Sequence, residues 1–424
     1  MKQKIWQTNH ICFSVLLAFL FTGCMKDKVT KTYKISTPIF QVLSKFREAI
    51  KSQPAVDIGA AGKITVIGKY IYLSEPLKGI HVIDNSIPSS PKNVSFINIP
   101  GNEDVAITGT TLYADAYGDL VTFDISNPLD AVAKNFAINV FPDHAIYYYG
   151  AGINPGSEIN PDSVNVIIGY TVKDTTVDYD PANNYLVYPG YLYSSSSSMN
   201  SSVPAAVKTT GTNGSTARFS IINNFLYTVG RFSLSTFDIS DPLVPSFAST
   251  IQISGPAETI FPLKNRLFVG ANNGMSMYDV QATPATPVLL GQVIHLYACD
   301  PVISDGDYAY VTLNDSSACH GAINELQIID IKDVANPVDV KSYALKHPVG
   351  LSKDGDYLFI CDGKDGLKIY NASNVNSLRL IKQLSDGIDY DVIAQNGTAI
   401  VVASNGIYQY DYSDLANIHL ISKL

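Results

Sequence analysis

The chain has 424 residues, with 38 acidic against 29 basic side chains and a net charge of −9 at neutral pH. Its basic residues form no patch beyond the lysines near the N-terminus, which argues against a nucleic-acid partner. The length exceeds what one ordinary core holds but suits a fold assembled from small repeated sheets. At the N-terminus Lys2 and Lys4 precede an apolar stretch, 11–21, that is too short to span a bilayer comfortably. That is the pattern of a secretory signal rather than a membrane helix, and no later segment is apolar enough to span.

Residues 20–24, LFTGC, resemble a bacterial lipobox, although Phe21 stands where an aliphatic side chain is usual. The resemblance implies cleavage of 1–23, acylation (palmitate included) of Cys24, and anchoring to the lipid bilayer of the cell envelope, with the outer membrane expected. More than one acyl chain is what makes such an anchor stable. The other reading is a cysteine that merely ends an ordinary signal. Residues 24–54 are expected to form the tether. In it Lys26, Lys28, Lys31 and Lys34 face either anionic head groups or water, and 40–51 sketch a short amphipathic helix.

From residue 55 to the C-terminus one phrase recurs: a short β run, a Gly or Asn turn, a second β run, then Asp and a Pro-containing loop. The anchoring residue falls at Asp84, Asp124, Asp238, Asp279, Asp330, Asn371 and Asp411. Alternating Val, Ile, Tyr and Phe between Gly, Asn, Asp and Pro predicts strands and turns, and a period of about 40 residues matches one four-stranded sheet. Such sheets bury both faces only by packing against one another in a closed ring. The fold expected is therefore all-β, a single propeller over 55–424. The interval between Asp124 and Asp238 leaves room for one decayed blade, its three strands starting at Asp143, Val164 and Thr175. Counting it gives eight blades, the favoured number, and dismissing it gives seven. Insertions are expected at 181–215 and 314–324.

LVTFDISNP, LSTFDISDP and LQIIDIKDVANP resemble the LVIVD repeats of bacterial propeller proteins. The tail, LFICDGKDGLKIYNAS to IYQYDYSDL, is similar to uncharacterised LVIVD-repeat lipoproteins of Bacteroidetes. That resemblance implies fold and location and supplies no activity.

In a propeller the innermost strand of each blade starts on the face that also carries the loop between strands two and three. Asp104, Asp143, Arg218, Glu258, Asp300, His347 and Asp389 stand near such starts, so a largely acidic ring is expected at one mouth of the channel. Carboxylates converging there would suit Ca²⁺ or a polar ligand, whereas the plainer role for Asp at a strand start is to cap a turn. Cys299 and Cys319 fall on the same face and are expected to pair as a disulfide, with two reduced thiols as the alternative. His320 is the one histidine near them, so zinc is the weaker reading. Cys361 reads as a core residue. Tyr185, Tyr188, Tyr191 and Tyr193 precede a serine run and suit stacking on sugars or docking a protein, or else packing over the propeller's side. No catalytic motif is present. The leading expectation is a monomeric envelope binding module for a glycan or an envelope protein. The alternative is a metal-dependent hydrolase or lyase working at the channel mouth, with Asp300, His320 and His347 as the first residues to test.

Overall fold

The computed structural model describes residues 30–141, 160–178, 210–294, 301–315 and 323–424. The chain divides into two units, 1–39 with 169–192 and 40–168 with 193–424. In the first, Thr30–Val42 and Asn165–Asp178 supply the paired strands of a two-stranded ribbon, with Thr32 and Thr176 hydroxyls 2.9 Å apart.

The second unit holds seven blades among the described residues, over 64–98, 105–137, 219–252, 257–294, 302–344, 351–384 and 389–423. Each is an antiparallel meander of four strands running from the channel outward. Strands two and three of a blade are almost wholly buried, as in Tyr70–Glu75 and Gly79–Asp84, while an outer strand such as Val338–Ala344 is largely exposed. Successive side chains of a strand point to opposite faces, so one strand feeds two interfaces. Ile71 packs toward blade 7 and its neighbour Tyr72 toward blade 2. Seven apolar clusters follow, one per junction, and the cluster joining Ile64, Leu73 and Ile83 to Ile393, Ile400 and Val402 closes blade 7 onto blade 1. Among the described residues eight sheets are thus present, of which seven are blades. Of the region expected to supply another blade, the described part contributes one strand, Asn165–Asp178, to the ribbon.

The seven anchoring residues read from the sequence each end the third strand of a blade. Each side chain accepts the backbone N–H two residues on, at 2.8–3.3 Å, and the next residue's N–H donates back to the turn before strand two. These Asx turns reverse the chain without a long loop. A β-bulge falls between strands three and four of every blade and adds the twist that lets flat sheets pack radially.

The segment expected as a tether with a short helix also carries strands. The helix spans only Leu43–Glu48, and Lys51–Pro54 forms an extra outer strand on blade 1. Among the described residues no helix is long and apolar enough to cross a membrane.

Candidate binding face at the channel mouth

Inner strands begin at Ile64, Val105, Phe219, Ala257, Val302, Leu351 and Asp389, so the residues just before them rim one mouth of the channel. Asp104, Glu258, His347 and Asp389 lie there as expected. Asp143, Asp300, His320, Cys299, Cys319, Cys24 and the tyrosines 185, 188, 191 and 193 lie outside the described residues.

The described rim acids are not gathered into one ligand set. Among the described residues no group of three or more His, Cys, Asp or Glu is placed to hold a metal. Asp104 is 1% exposed and is met by Lys63 Nζ at 2.9 Å, by the Arg218 backbone N–H and by its own neighbour Val105 N–H. Burial pushes its carboxyl up, opposed by Lys63. His347 is half exposed, with Nδ1 3.2 Å from Asp315 Oδ1. Asp389 is buried, and burial together with the nearby Asp386 pushes it up to about 7 while the Leu367 N–H works against them.

Three further acids, which the sequence reading passed over, end the second strands of their blades and hold the loops that enter inner strands. Asp115 Oδ1 accepts Glu103 and Asp104 N–H at 2.8 and 2.9 Å. Asp362 does the same for Lys346 and His347 at 2.9 and 2.7 Å, and pairs with Lys368. Glu75 receives Gly59 and Ala60 N–H, Lys78 and the fully buried His81. Burial works against the Glu75 carboxylate, but Lys78, His81 and those amides outweigh it and hold it below its ordinary range. Burial keeps His81 on the neutral side. Glu75, Asp115 and Asp362 are therefore caps on loop amides.

A second surprise fills the axis. Residues 210–218, which overlap the end of the expected insertion 181–215, lie along the inner strands. Thr212 and Asn213 pair antiparallel with Val66 and Thr65 of blade 1, and Gly211 N–H reaches Ile107 O of blade 2 at 2.8 Å. Asp391, 1% exposed on blade 7, accepts the hydroxyl and amide of both Ser215 and Thr216. A side chain at Gly214 would press into that carboxylate. The one available signal, Gly-Thr-Asn-Gly-Ser-Thr after a Ser-rich run, reads locally as loop.

The loops between strands two and three stand on this same face. Leu77 and Phe232 project from them at 54% and 45% exposure, and Ile388 and Tyr390 are exposed at the start of blade 7. Leu77 and Tyr117 hold left-handed backbone, and amide bonds to and from Gly101 and Asn102 fix both. Gly101, itself at φ +82°, has room for no side chain because the Tyr117 ring covers it. Over blade 2 the helix covers the face, with Phe46 against Tyr117 and Arg47 paired to Asp119 at 3.3 Å.

The LVIVD repeat model matches residues 58–98, 102–132, 297–344 and 350–385, which coincide with blades 1, 2, 5 and 6. Four of the blades are LVIVD repeats. No curated protein matches the chain by sequence. Among solved structures it is similar to the periplasmic gluconolactonase PpgL of Pseudomonas aeruginosa, at 12% identity over 85% of this chain and 96% of that one, TM-score 0.52. It is similar also to a protein from Lactobacillus plantarum (12%, 86% and 96%, TM-score 0.51) and to a putative 6-phosphogluconolactonase from Bacteroides uniformis (11%, 86% and 95%, TM-score 0.50). At such identities the likeness is one of fold. The LVIVD blades fall on both sides of the ring's junctions and leave blades 3, 4 and 7 as the divergent ones.

Proposed function

We propose that this chain is a lipid-anchored binding module of the cell envelope whose contact surface is the channel-mouth face. The observation that carries the reading is the contrast on that face between polar groups bonded inward to loop amides and apolar side chains turned outward. Leu77, Phe232, Ile388 and Tyr390 are exposed, and the loops bearing the first two are fixed by hydrogen bonds at their bases. Rigid loops presenting aromatic and aliphatic anchors are suited to docking a protein or stacking on a glycan. Lipid attachment at Cys24 would tether the module to the cell envelope, with the outer membrane as its proposed location.

 The anchor is tested by palmitate labelling of the full chain in its host, which Cys24→Ala should abolish. The face is tested by glycan-array and envelope-protein crosslinking with Phe232→Ala and Tyr390→Ala. Binding that survives both substitutions unchanged would sink this reading.

One observation favours a second reading, a hydrolase or lyase at the same mouth. Asp389 titrates at about 7, where a carboxyl serves as general acid or base at neutral pH. Turnover that persists in Asp389→Asn would remove that reading.

A further inference from the structure

The ring has one junction that the chain does not cross. Five of the six connections between consecutive blades are short, and the sixth, from blade 2 to blade 3, takes the whole stretch 138–218. Blade 7 and blade 1 share no connection, and their four-stranded meanders come from the continuous stretches 389–423 and 64–98, so neither borrows a strand from the opposite end of the chain. That junction has its apolar cluster and a reciprocal amide pair, Asn85 with Gln409 at 2.9 and 2.7 Å.

Segment 210–218 bears on both of these weak places. It touches blade 1 through Gly214 N–H to Ile64 O at 3.1 Å and through the Thr65 hydroxyl on Asn213 Oδ1 at 2.8 Å. It touches blade 2 at Ile107 O and at the Asp104 carboxylate, which accepts the Arg218 N–H. Ser215 Oγ accepts the Leu351 N–H of blade 6 at 2.8 Å, Ala217 O accepts the Ile260 N–H of blade 4 at 2.8 Å, and Asp391 of blade 7 takes Ser215 and Thr216. The segment then runs into the inner strand of blade 3, so it reaches every blade but the fifth. Its residues Gly214, Ser215 and Ala217 are buried.

We propose that segment 210–218 is the clasp that closes the ring, an axial strand taking the part that exchange of an outer strand between the chain ends would otherwise take. Bonds to five other blades from one short segment make opening at the blade 7–blade 1 junction and release of the segment a single event. Opening then centres on blades 1 and 7 and leaves blade 5, the one blade the segment does not touch, folded.

The test is amide hydrogen exchange on the full chain, comparing the wild type with the Ser215→Ala/Thr216→Val double variant. Exchange in 64–67, 210–217 and 391–395 should quicken together, by tenfold or more, with blade 5 unchanged. No change, or an equal change in all seven blades, would overturn the proposal. Should the variant not fold, wild-type exchange in low urea answers the same question. Blade 1, blade 7 and the segment should open as one unit before blade 5, and a segment that exchanges independently of the junction would refute the clasp.

Discussion

The two ends of the channel are built on different rules. At the end away from the mouth, seven loops repeat one device, an Asp or Asn that accepts the amide two residues on. At the mouth each blade has its own arrangement: Glu75 with His81 in blade 1, Asp115 in blade 2, Asp362 with Lys368 in blade 6, and Asp391 gripping a distant segment in blade 7. The repeated end works on local contacts, within a few residues, in water. The mouth works on contacts far apart in sequence and buried. A loss at the first should cost little and stay local, whereas a loss at the second strands several donors away from solvent.

The largest effect is expected from Asp391→Ala, which leaves the amides and hydroxyls of Ser215 and Thr216 without their shared acceptor. It should cost about 3–5 kcal/mol in urea unfolding. A loss under about 1 kcal/mol would erase the contrast between the two ends.

Asp389→Asn is expected to act in the opposite direction. Burial beside Asp386 pushes its carboxyl up to about 7 in the folded chain, above the ordinary aspartate value of 3.8. As pH rises through that window the unfolded chain gives up its proton first, so the wild type loses stability between about pH 4 and pH 7. The variant should match the wild type near pH 4 and exceed it by about 3 kcal/mol at pH 8, as followed by urea midpoints across that range. Parallel pH profiles for the two proteins would show that Asp389 is not held as described.

Asp362→Ala removes the acceptor of two loop amides and the partner of Lys368, for an expected loss of about 2–3 kcal/mol in the same assay. At the repeated end, Asp238→Ala breaks one Asx turn at the solvent edge and should cost about 1 kcal/mol or less. If both losses came out equal, burial would not be what separates the ends. The smallest effect on stability belongs to Phe232→Ala, within about 0.5 kcal/mol for an exposed loop side chain, while its effect on binding should be the largest of the five.

Legibility in the sequence follows the same division. The seven anchors, the strand pairs around them and the insertion between strands two and three of blade 5 were readable because each rests on alternation and turn residues within a few positions. The region between Asp124 and Asp238 misled because strand propensity in VNVIIGYTV says that a strand forms but not what it pairs with, and its partner, Thr30–Val42, lies far upstream. Acids at the mouth were visible as residue types. Their roles were not, since a carboxylate that caps a loop and one that awaits a cation look alike until the amides around them are placed.

What the sequence by itself determined was the repeat unit: four strands, an Asx turn and an apolar alternation that must be buried on both faces. What only the tertiary structure decided was how many units close the ring and what lies on its axis. Closure depends on the angle at which blades pack and on a segment that meets Ile64, Ile107, Leu351 and Asp391 at once. No local pattern carries that information, because those residues come together only when the ring does.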